Sequence, residues 1–372
     1  MIVGIVGGGQ LARMMALAGY PLGLDFIVLD PSPQSCAGQV AELLIGAYDD
    51  RDKLAELAKR ADVVTFDFEN VPAEAVGWLA DHCPVYPPPD ALAAAQDRLD
   101  EKTLFRSLGI ATAPFAAVDS RDDLQNAIEQ LGLPAVLKTR RFGYDGKGQT
   151  LLRSPDDLEP AWQQLGGSPL ILEGFVDFDC EVSLIAARDR QGQTVFYPLT
   201  ENRHRDGILH LSRAPYPNTG LQQQAEAAVG RLLDRLDYVG VLAVEWFVTG
   251  DRLIANEMAP RVHNSGHWTI EGAETSQFEN HLRAVTGLPL GSTACRGVSA
   301  MINFIGDLPD RAGFLALPDA HFHDYGKTAR AGRKVGHGTL RCDNNATLEW
   351  LLQQALQTDP SAEPPLTGDS SN

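Results

Sequence analysis

The stretch VLAVEWFVTGDRLIANEMAP, residues 241–260, holds the side chains with the plainest chemistry. Two apolar runs, 241–248 and 253–258, flank a turn at Thr249-Gly250-Asp251 and read as a β-hairpin. With a loop of Gly250-Asp251-Arg252, Glu245 lies directly opposite Glu257, and opposed side chains share one face roughly 5 Å apart. With a two-residue loop, Glu245 faces Asn256 and Glu257 becomes a near neighbour. Two carboxylates so placed repel each other, and a divalent cation between them removes the repulsion. Hard oxygen ligands with phosphate completing the shell describe magnesium, which makes Glu245 and Glu257 the candidate metal ligands.

Next comes PRVHNSGHWT, residues 260–269. Arg261 offers a planar fork suited to a carboxylate-like anion. His263 can move a proton or donate a hydrogen bond, and Asn264 adds an amide. These three are the candidate catalytic residues. A second anion site is expected at FGYDGKGQ, residues 142–149, after an apolar strand that ends in Lys138. Gly143, Gly146 and Gly148 make a flexible flap rich in amide donors, able to close over a triphosphate and exclude water. Lys138, Arg140, Arg141 and Lys147 add cations where phosphate charge would sit. The spacing is not that of a Walker A loop.

A third glycine run, Gly7-Gly8-Gly9-Gln10-Leu11-Ala12, fits G-x-G-x-x-A between a strand and a helix, and Asp30 follows at the spacing of a ribose-binding acid. Alone, it suggests a nicotinamide-dependent oxidoreductase. Physically it requires only an anion at a helix N-terminus, and nothing later in the chain supplies hydride-transfer chemistry.

The elements around these residues form three segments. Strands at 2–6, 26–29 and 63–66 alternate with helices at 10–18, 52–60 and 73–79, which predicts a parallel α/β sheet up to the break at Pro87-Pro88-Pro89. From about 101 to 290 strands predominate, at 134–139, 170–173, 181–187, 194–199 and the hairpin, with helices at 102–108 and 225–236. This reads as α+β. From 291 to 358 a smaller segment carries the basic loop GKTARAGRKVGHG, and 359–372 reads as a disordered tail.

The 372 residues are 44% hydrophobic and 22% charged, enough for two or three domains with sizeable cores. No apolar run approaches the roughly 18–20 residues of a membrane span, and MIVGIVGGGQLARM reads as strand and turn, not as a signal peptide. A net charge of −18 disfavours nucleic acid and anionic membranes as partners. Five scattered cysteines fit neither a disulfide framework nor a zinc site and agree with a reducing cytoplasm.

GGGQLARM, AQDRLDEK, FGYDGKGQ, EVSLIAAR, YPLTENRH, ANEMAPRVHNSGHWT and GRKVGH, in this order over residues 1 to about 345, resemble the 5-(carboxyamino)imidazole ribonucleotide synthases. These are ATP-dependent carboxylases of purine biosynthesis within the ATP-grasp superfamily. The resemblance implies a Rossmann-like pre-ATP-grasp domain (1–100), a two-lobed ATP-grasp core (101–290), a small β-rich C-terminal domain (291–358) and a homodimer. It implies ATP and magnesium. ATP would contact Arg98, Lys138, Gly143, Tyr144, Asp145, Gly146, Lys147, Gly148 and Gln149. Glu173, Gly174, Phe175 and Val176 would read adenine and Glu181 the ribose, with His204, Asn256 and Glu257 close by. The imidazole nucleotide would meet Gly9, Gln10, Leu11, Tyr144, Asp145, Lys147 and Arg261, its phosphate held by Lys327, Arg333 and Lys334. Bicarbonate would sit on Arg261, His263 and Asn264. Val262 and Lys147 stand where the family commonly has Pro and Arg, and Ala12 where it has Gly. The alternative within the superfamily is a formate-dependent transformylase, which is not expected to carry HNSGHWT.

Overall fold

The computed structural model describes residues 1–143 and 146–358. Tyr144, Asp145 and the tail 359–372 lie outside them. Four short strands, β1 (Ile2–Val6), β2 (Asp25–Asp30), β3 (Glu42–Ile45) and β4 (Val63–Phe66), form a parallel sheet ordered β3-β2-β1-β4. Val63–Phe66 is buried throughout, as expected of a strand covered on both faces. The strands are all parallel, but the order in which the chain adds them changes sense between β1 and β4. The loops leaving their carboxyl ends, Gly7–Gly9 and Asp67–Glu69, therefore border one crevice, where open α/β sheets bind ligands.

The glycine flap grows from a four-stranded antiparallel sheet made of β5 (Phe115–Val118), β6 (Ala135–Thr139), β7 (Gln149–Leu152) and β8 (Leu170–Gly174), ordered β5-β8-β6-β7. Lys138 of β6 and Glu173 of β8 lie on one face, since Lys138 pairs with Ile171 and Val136 with Glu173.

The remaining strands make a nine-stranded antiparallel sheet. They are β9 (Cys180–Arg188), β10 (Thr194–Phe196), β11 (Thr200–Arg205), β12 (Ile208–Ala214), β13 (Gly240–Thr249), β14 (Arg252–Ala259), β15 (Val298–Ile305), β16 (Ala320–Asp324) and β17 (Lys334–Cys342). The path is β14-β13-β9-β11-β12-β15-β17-β16, with β10 paired to β9. The β-rich third segment thus continues the sheet of the second, because β12 pairs with β15 from Leu211↔Ile302 to Ala214↔Ser299. The strand anticipated over 194–199 stops at Phe196: Tyr197 turns inward and its hydroxyl donates to the Thr275 carbonyl at 2.8 Å.

One apolar cluster joins Val3, Ile5 and Met15 of the first segment, through Phe278 and Leu282, to Ile185 and Ala243 of the large sheet. The helix Gln277–Thr286 is thus the wedge between the two sheets. Buried His281 pins it, accepting from the Val241 amide at Nδ1 (3.1 Å) and donating from Nε2 to Thr65 Oγ1 (2.9 Å). Among the described residues, no helix is long and apolar enough to cross a membrane.

Candidate active site

The hairpin satisfies both of its possible registers. From Thr249↔Arg252 to Trp246↔Ala255 the pairing is that of a two-residue turn at Gly250-Asp251. The register then slips by one residue, leaving Asn256 as the extra member of a β-bulge and placing Glu245 opposite Glu257. All three side chains line one cavity of about 260 Å³. Burial, then the charge of Glu257, pushes the Glu245 carboxyl up. Burial alone would raise the Glu257 carboxyl, but Arg98, whose guanidinium donates to it at 2.9 Å, together with Lys138 holds it down. The Asn256 side-chain oxygen is buried without a hydrogen-bond partner. Two crowded carboxylates and an orphaned amide oxygen are the donor set a hard cation needs. Among the described residues no three His, Cys, Asp or Glu side chains converge on a metal-sized gap. Oxygens of a bound phosphate would therefore complete the shell.

Arg98, Lys138, Gly146, Lys147, Gln149, Glu181 and His204 line the same cavity. His204 Nδ1 lies 2.5 Å from Glu181 Oε2, and although burial disfavours its charge, Glu181 and Glu245 raise its pKa. Gly148 has φ +71°, and a Cβ there would lie 2.6 Å from Thr139 Oγ1, so this turn of the flap requires glycine.

A larger cavity of about 740 Å³ adjoins it. Arg98, Lys147, Glu245, Glu257, His263, Asn264 and Lys334 border both. Gln10, Leu11, Gly143, Arg261, Lys327 and Arg333 line the larger one. At the junction, His263 Nε2 is 3.6 Å from Glu245 Oε1. Burial, then Arg261 and Lys334, holds the His263 pKa down to about 3, so the ring is neutral. Arg261 lies 2.5 Å from Glu69 Oε2 and also donates to the Val262 carbonyl at 3.0 Å. Asn264 and Asn303 exchange amide hydrogen bonds at 2.9 and 2.7 Å. Lys327 donates to Gln10 Oε1, tying the basic loop to the first glycine turn.

Comparison with known proteins agrees with this arrangement. Residues 1–96 match the ribonucleotide synthetase preATP-grasp domain, residues 103–278 the ATP-grasp domain and residues 299–350 the phosphoribosylaminoimidazole carboxylase C-terminal domain. The N5-carboxyaminoimidazole ribonucleotide synthase of Pseudomonas aeruginosa is 58% identical over 94% of this chain and 97% of its own length. The chain belongs to the N5-carboxyaminoimidazole ribonucleotide synthase family. The crystal structure of the synthetase from Thermus thermophilus is 57% identical and superposes with a TM-score of 0.94 over 98% of this chain and 99% of that one. The enzyme of Aspergillus clavatus, solved with ADP and 5-aminoimidazole ribonucleotide, is 32% identical with a TM-score of 0.90, covering 96% and 98%.

Within this synthase family member, several sequence expectations need correction. The first glycine turn is not an open anion cradle. The Gly8 amide donates to Asp30 Oδ2 (2.7 Å) and the Gly9 amide to Asp67 Oδ2 (2.6 Å). Asp30 also accepts from Tyr48 (2.9 Å) and from the Ser32 amide (2.8 Å), so neither the loop nor the acid is available to a dinucleotide. Gly9 supports the turn and does not line the cavity, whereas Gln10 and Leu11 do. Arg140 and Arg141 share one carboxylate, pairing with Asp97 at 2.8 and 3.4 Å, which ties the base of the flap to the N-cap of the helix Arg98–Ser107 and leaves one positive charge in excess; Arg140 also lines the larger cavity. Glu173 lines neither of these two cavities. Its carboxylate lies 3.1 Å from Lys138 and 3.3 Å from fully buried Lys102. Although burial opposes it, Lys138, Lys102 and Arg98 hold the Glu173 pKa at about 2. Glu173 therefore positions Lys138, which lines the smaller cavity. Gly174 and Phe175 give their amides to the Pro114 and Pro134 carbonyls (2.8 and 3.1 Å), and neither they nor Val176 line either cavity. The expectations for Tyr144 and Asp145 lie outside the described residues.

Glu69, Glu101, Lys102 and Asn303 escaped the sequence reading. Glu69 had one signal: it follows β4 at the carboxyl end of a parallel strand, where ligands bind. Glu101 is 2% exposed, accepts the Met258 amide at 2.6 Å, and is pushed up to about 8 by burial. A raised carboxyl pKa adds stability that is complete below the unfolded value near 4.3 and is lost as pH rises through 8. Glu101→Gln keeps the acceptor and removes the titration. Its melting temperature should therefore gain on the parent by a few degrees between pH 5 and pH 9. A constant difference across that range would mean that Glu101 is ionised throughout.

Proposed function

We propose that this protein uses ATP to carboxylate 5-aminoimidazole ribonucleotide with bicarbonate, giving N5-carboxyaminoimidazole ribonucleotide, ADP and phosphate. The observation that carries this reading is the junction of the two cavities. Glu245, Glu257, His263 and Asn264 border both cavities, Lys138, Asn256 and His204 line the smaller one, and the basic loop lines the larger. Residues 1–100 contribute the crevice wall, 101–290 the nucleotide cavity and 291–358 the basic loop.

Bicarbonate oxygen attacks the γ-phosphorus, the bond to the ADP oxygen breaks, and carboxyphosphate forms. The amine nitrogen then bonds to the carboxyl carbon of carboxyphosphate, or of carbon dioxide released from it. Phosphate leaves and the amine loses a proton. Lys138, set by Glu173, and Arg98 face the phosphates. Arg261, set by Glu69, and neutral His263 hold the bicarbonate oxygens, because such transfers depend on positioning and fixed charge. Magnesium bound by Glu245 and Glu257, with Asn256, would offset the negative charge that develops on the phosphates. The flap over 143–149 excludes the water that would destroy the anhydride. The reading includes a homodimer, checked by light scattering, and a cytoplasmic setting, which five free cysteines support.

The test is ADP release with magnesium-ATP and bicarbonate, with and without aminoimidazole ribonucleotide. Strong stimulation that also requires bicarbonate supports the assignment. Absence of stimulation, or stimulation by formate in place of bicarbonate, overturns it in favour of another ATP-grasp ligase.

A further inference from the structure

A line of polar side chains runs beneath the site, and the chemistry above does not use it. Ser183 of β9, Asn202 of β11 and Ser212 of β12 sit on three neighbouring strands, and Ser265 lies two residues after His263. All four are buried at 3% exposure or less. A sheet interior ordinarily places apolar side chains there, because buried polar groups carry a desolvation cost unless each is satisfied. Here each is satisfied by the next. Oxygen–oxygen and nitrogen–oxygen distances along the line are 2.8 Å (Ser212 to Asn202), 3.0 Å (Asn202 to Ser183) and 2.7 Å (Ser183 to Ser265), and Ser265 Oγ is 2.9 Å from His263 Nδ1.

The direction of the line is fixed at the histidine. The Ser265 backbone N–H donates to His263 Nδ1 at 3.3 Å. An amide N–H can only donate, so Nδ1 presents its lone pair and the ring proton sits on Nε2. The Ser265 hydroxyl must then donate to Nδ1 as well, and can only accept from Ser183. Ser183, its proton committed, accepts from the Asn202 amide nitrogen, and the Asn202 oxygen accepts from Ser212. Every proton in the line points toward His263. The histidine backbone is held separately. Gln277, 0% exposed, accepts from the His263 N–H at 2.9 Å and donates to the His263 carbonyl at 2.6 Å. Backbone place and ring tautomer thus have different guardians.

We propose that Ser265, Ser183, Asn202 and Ser212 form a positioning chain that holds His263 as the Nε2–H tautomer, so that the ring offers a fixed hydrogen-bond donor, not a base, to the oxyanion formed from bicarbonate. The catalytic part rests on the function proposed above; the tautomer does not. Nitrogen-15 NMR of the full chain with labelled histidine, with His263 assigned from the spectrum of His263→Asn, reads the protonated nitrogen directly and without substrate. The parent should show His263 protonated on Nε2. Ser265→Ala keeps only the long 3.3 Å amide contact to Nδ1, so the Nδ1–H tautomer should become populated beside Nε2–H, and kcat should fall about tenfold with the KM for ATP unchanged, the loss of one hydrogen bond. Ser265→Thr, which retains the hydroxyl, should restore both. Protonation on Nδ1 in the parent overturns the proposal whether or not any variant folds, as does a folded Ser265→Ala with parental spectrum and kcat. Failure of the function assigned above would appear instead as absent stimulation of ADP release in the parent, so the two failures are told apart.

Discussion

Glu257→Gln should reduce bicarbonate-dependent ADP formation about a thousandfold while leaving the melting temperature within a few degrees of the parent. The loss has two sources. A neutral amide cannot share a cation with Glu245, and removing a preorganised charge from the transition state of such transfers commonly costs a factor of 10²–10³. The fold should tolerate the change for a local reason. Arg98 loses its 2.9 Å partner, but Glu101 lies close enough for its ionisation to be coupled to both Arg98 and Glu257. With Glu257 neutral, Glu101 loses a repelling neighbour and ionises beside Arg98, so no lone buried cation is left. Stopped or steady-state ADP assays with a thermal melt decide the matter. Near-parental turnover in a folded variant would remove Glu257 from the metal site.

Arg261→Met should separate stability from catalysis. Arg261 and Glu69 form an ion pair between elements 192 residues apart, with Arg261 only 14% exposed. Removing one member of a buried pair leaves the other uncompensated, at a cost of about 3–5 kcal/mol. Glu69 keeps 27% of its side chain exposed to the cavity, which places this case near about 3 kcal/mol. Adding Glu69→Gln removes the stranded charge, so the double variant should recover most of the lost stability in urea unfolding. Activity should not return, because the guanidinium that would hold bicarbonate is absent from both variants. If the double variant regained turnover, Arg261 would be a structural residue only.

These two experiments bear on different parts of what could be read before the fold was known. Strands at Ile2–Val6 and Val63–Phe66 and the facing runs of the hairpin follow from apolar patterning and turn chemistry, both properties of neighbouring residues. So does the pairing of Glu245 with Glu257, since a hairpin's partners are only a dozen residues apart. Its means did not follow: the turn has two residues, and a bulge at Asn256 restores the opposition. Nothing local marks that bulge, and β13 keeps an unbroken register with β9 on its other side.

The cations and glycine turns were visible as types but not as roles. Arg140 and Arg141 look like unpaired cations until Asp97, more than 40 residues earlier, pairs with both. Gly8 and Gly9 look like an open cradle until Asp30 and Asp67 fill it. Glu173 reads in the sequence as one more acid after a strand, and only the fold brings Lys102 and Lys138 to its carboxylate. A charged side chain reaches only several ångströms, so its role depends on which opposite charge packing brings within reach. Periodicity and spacing record what a residue can do with its near neighbours along the chain. Which of its capacities remain free for a substrate depends on distant residues, and those are placed by the burial of apolar surface across three segments.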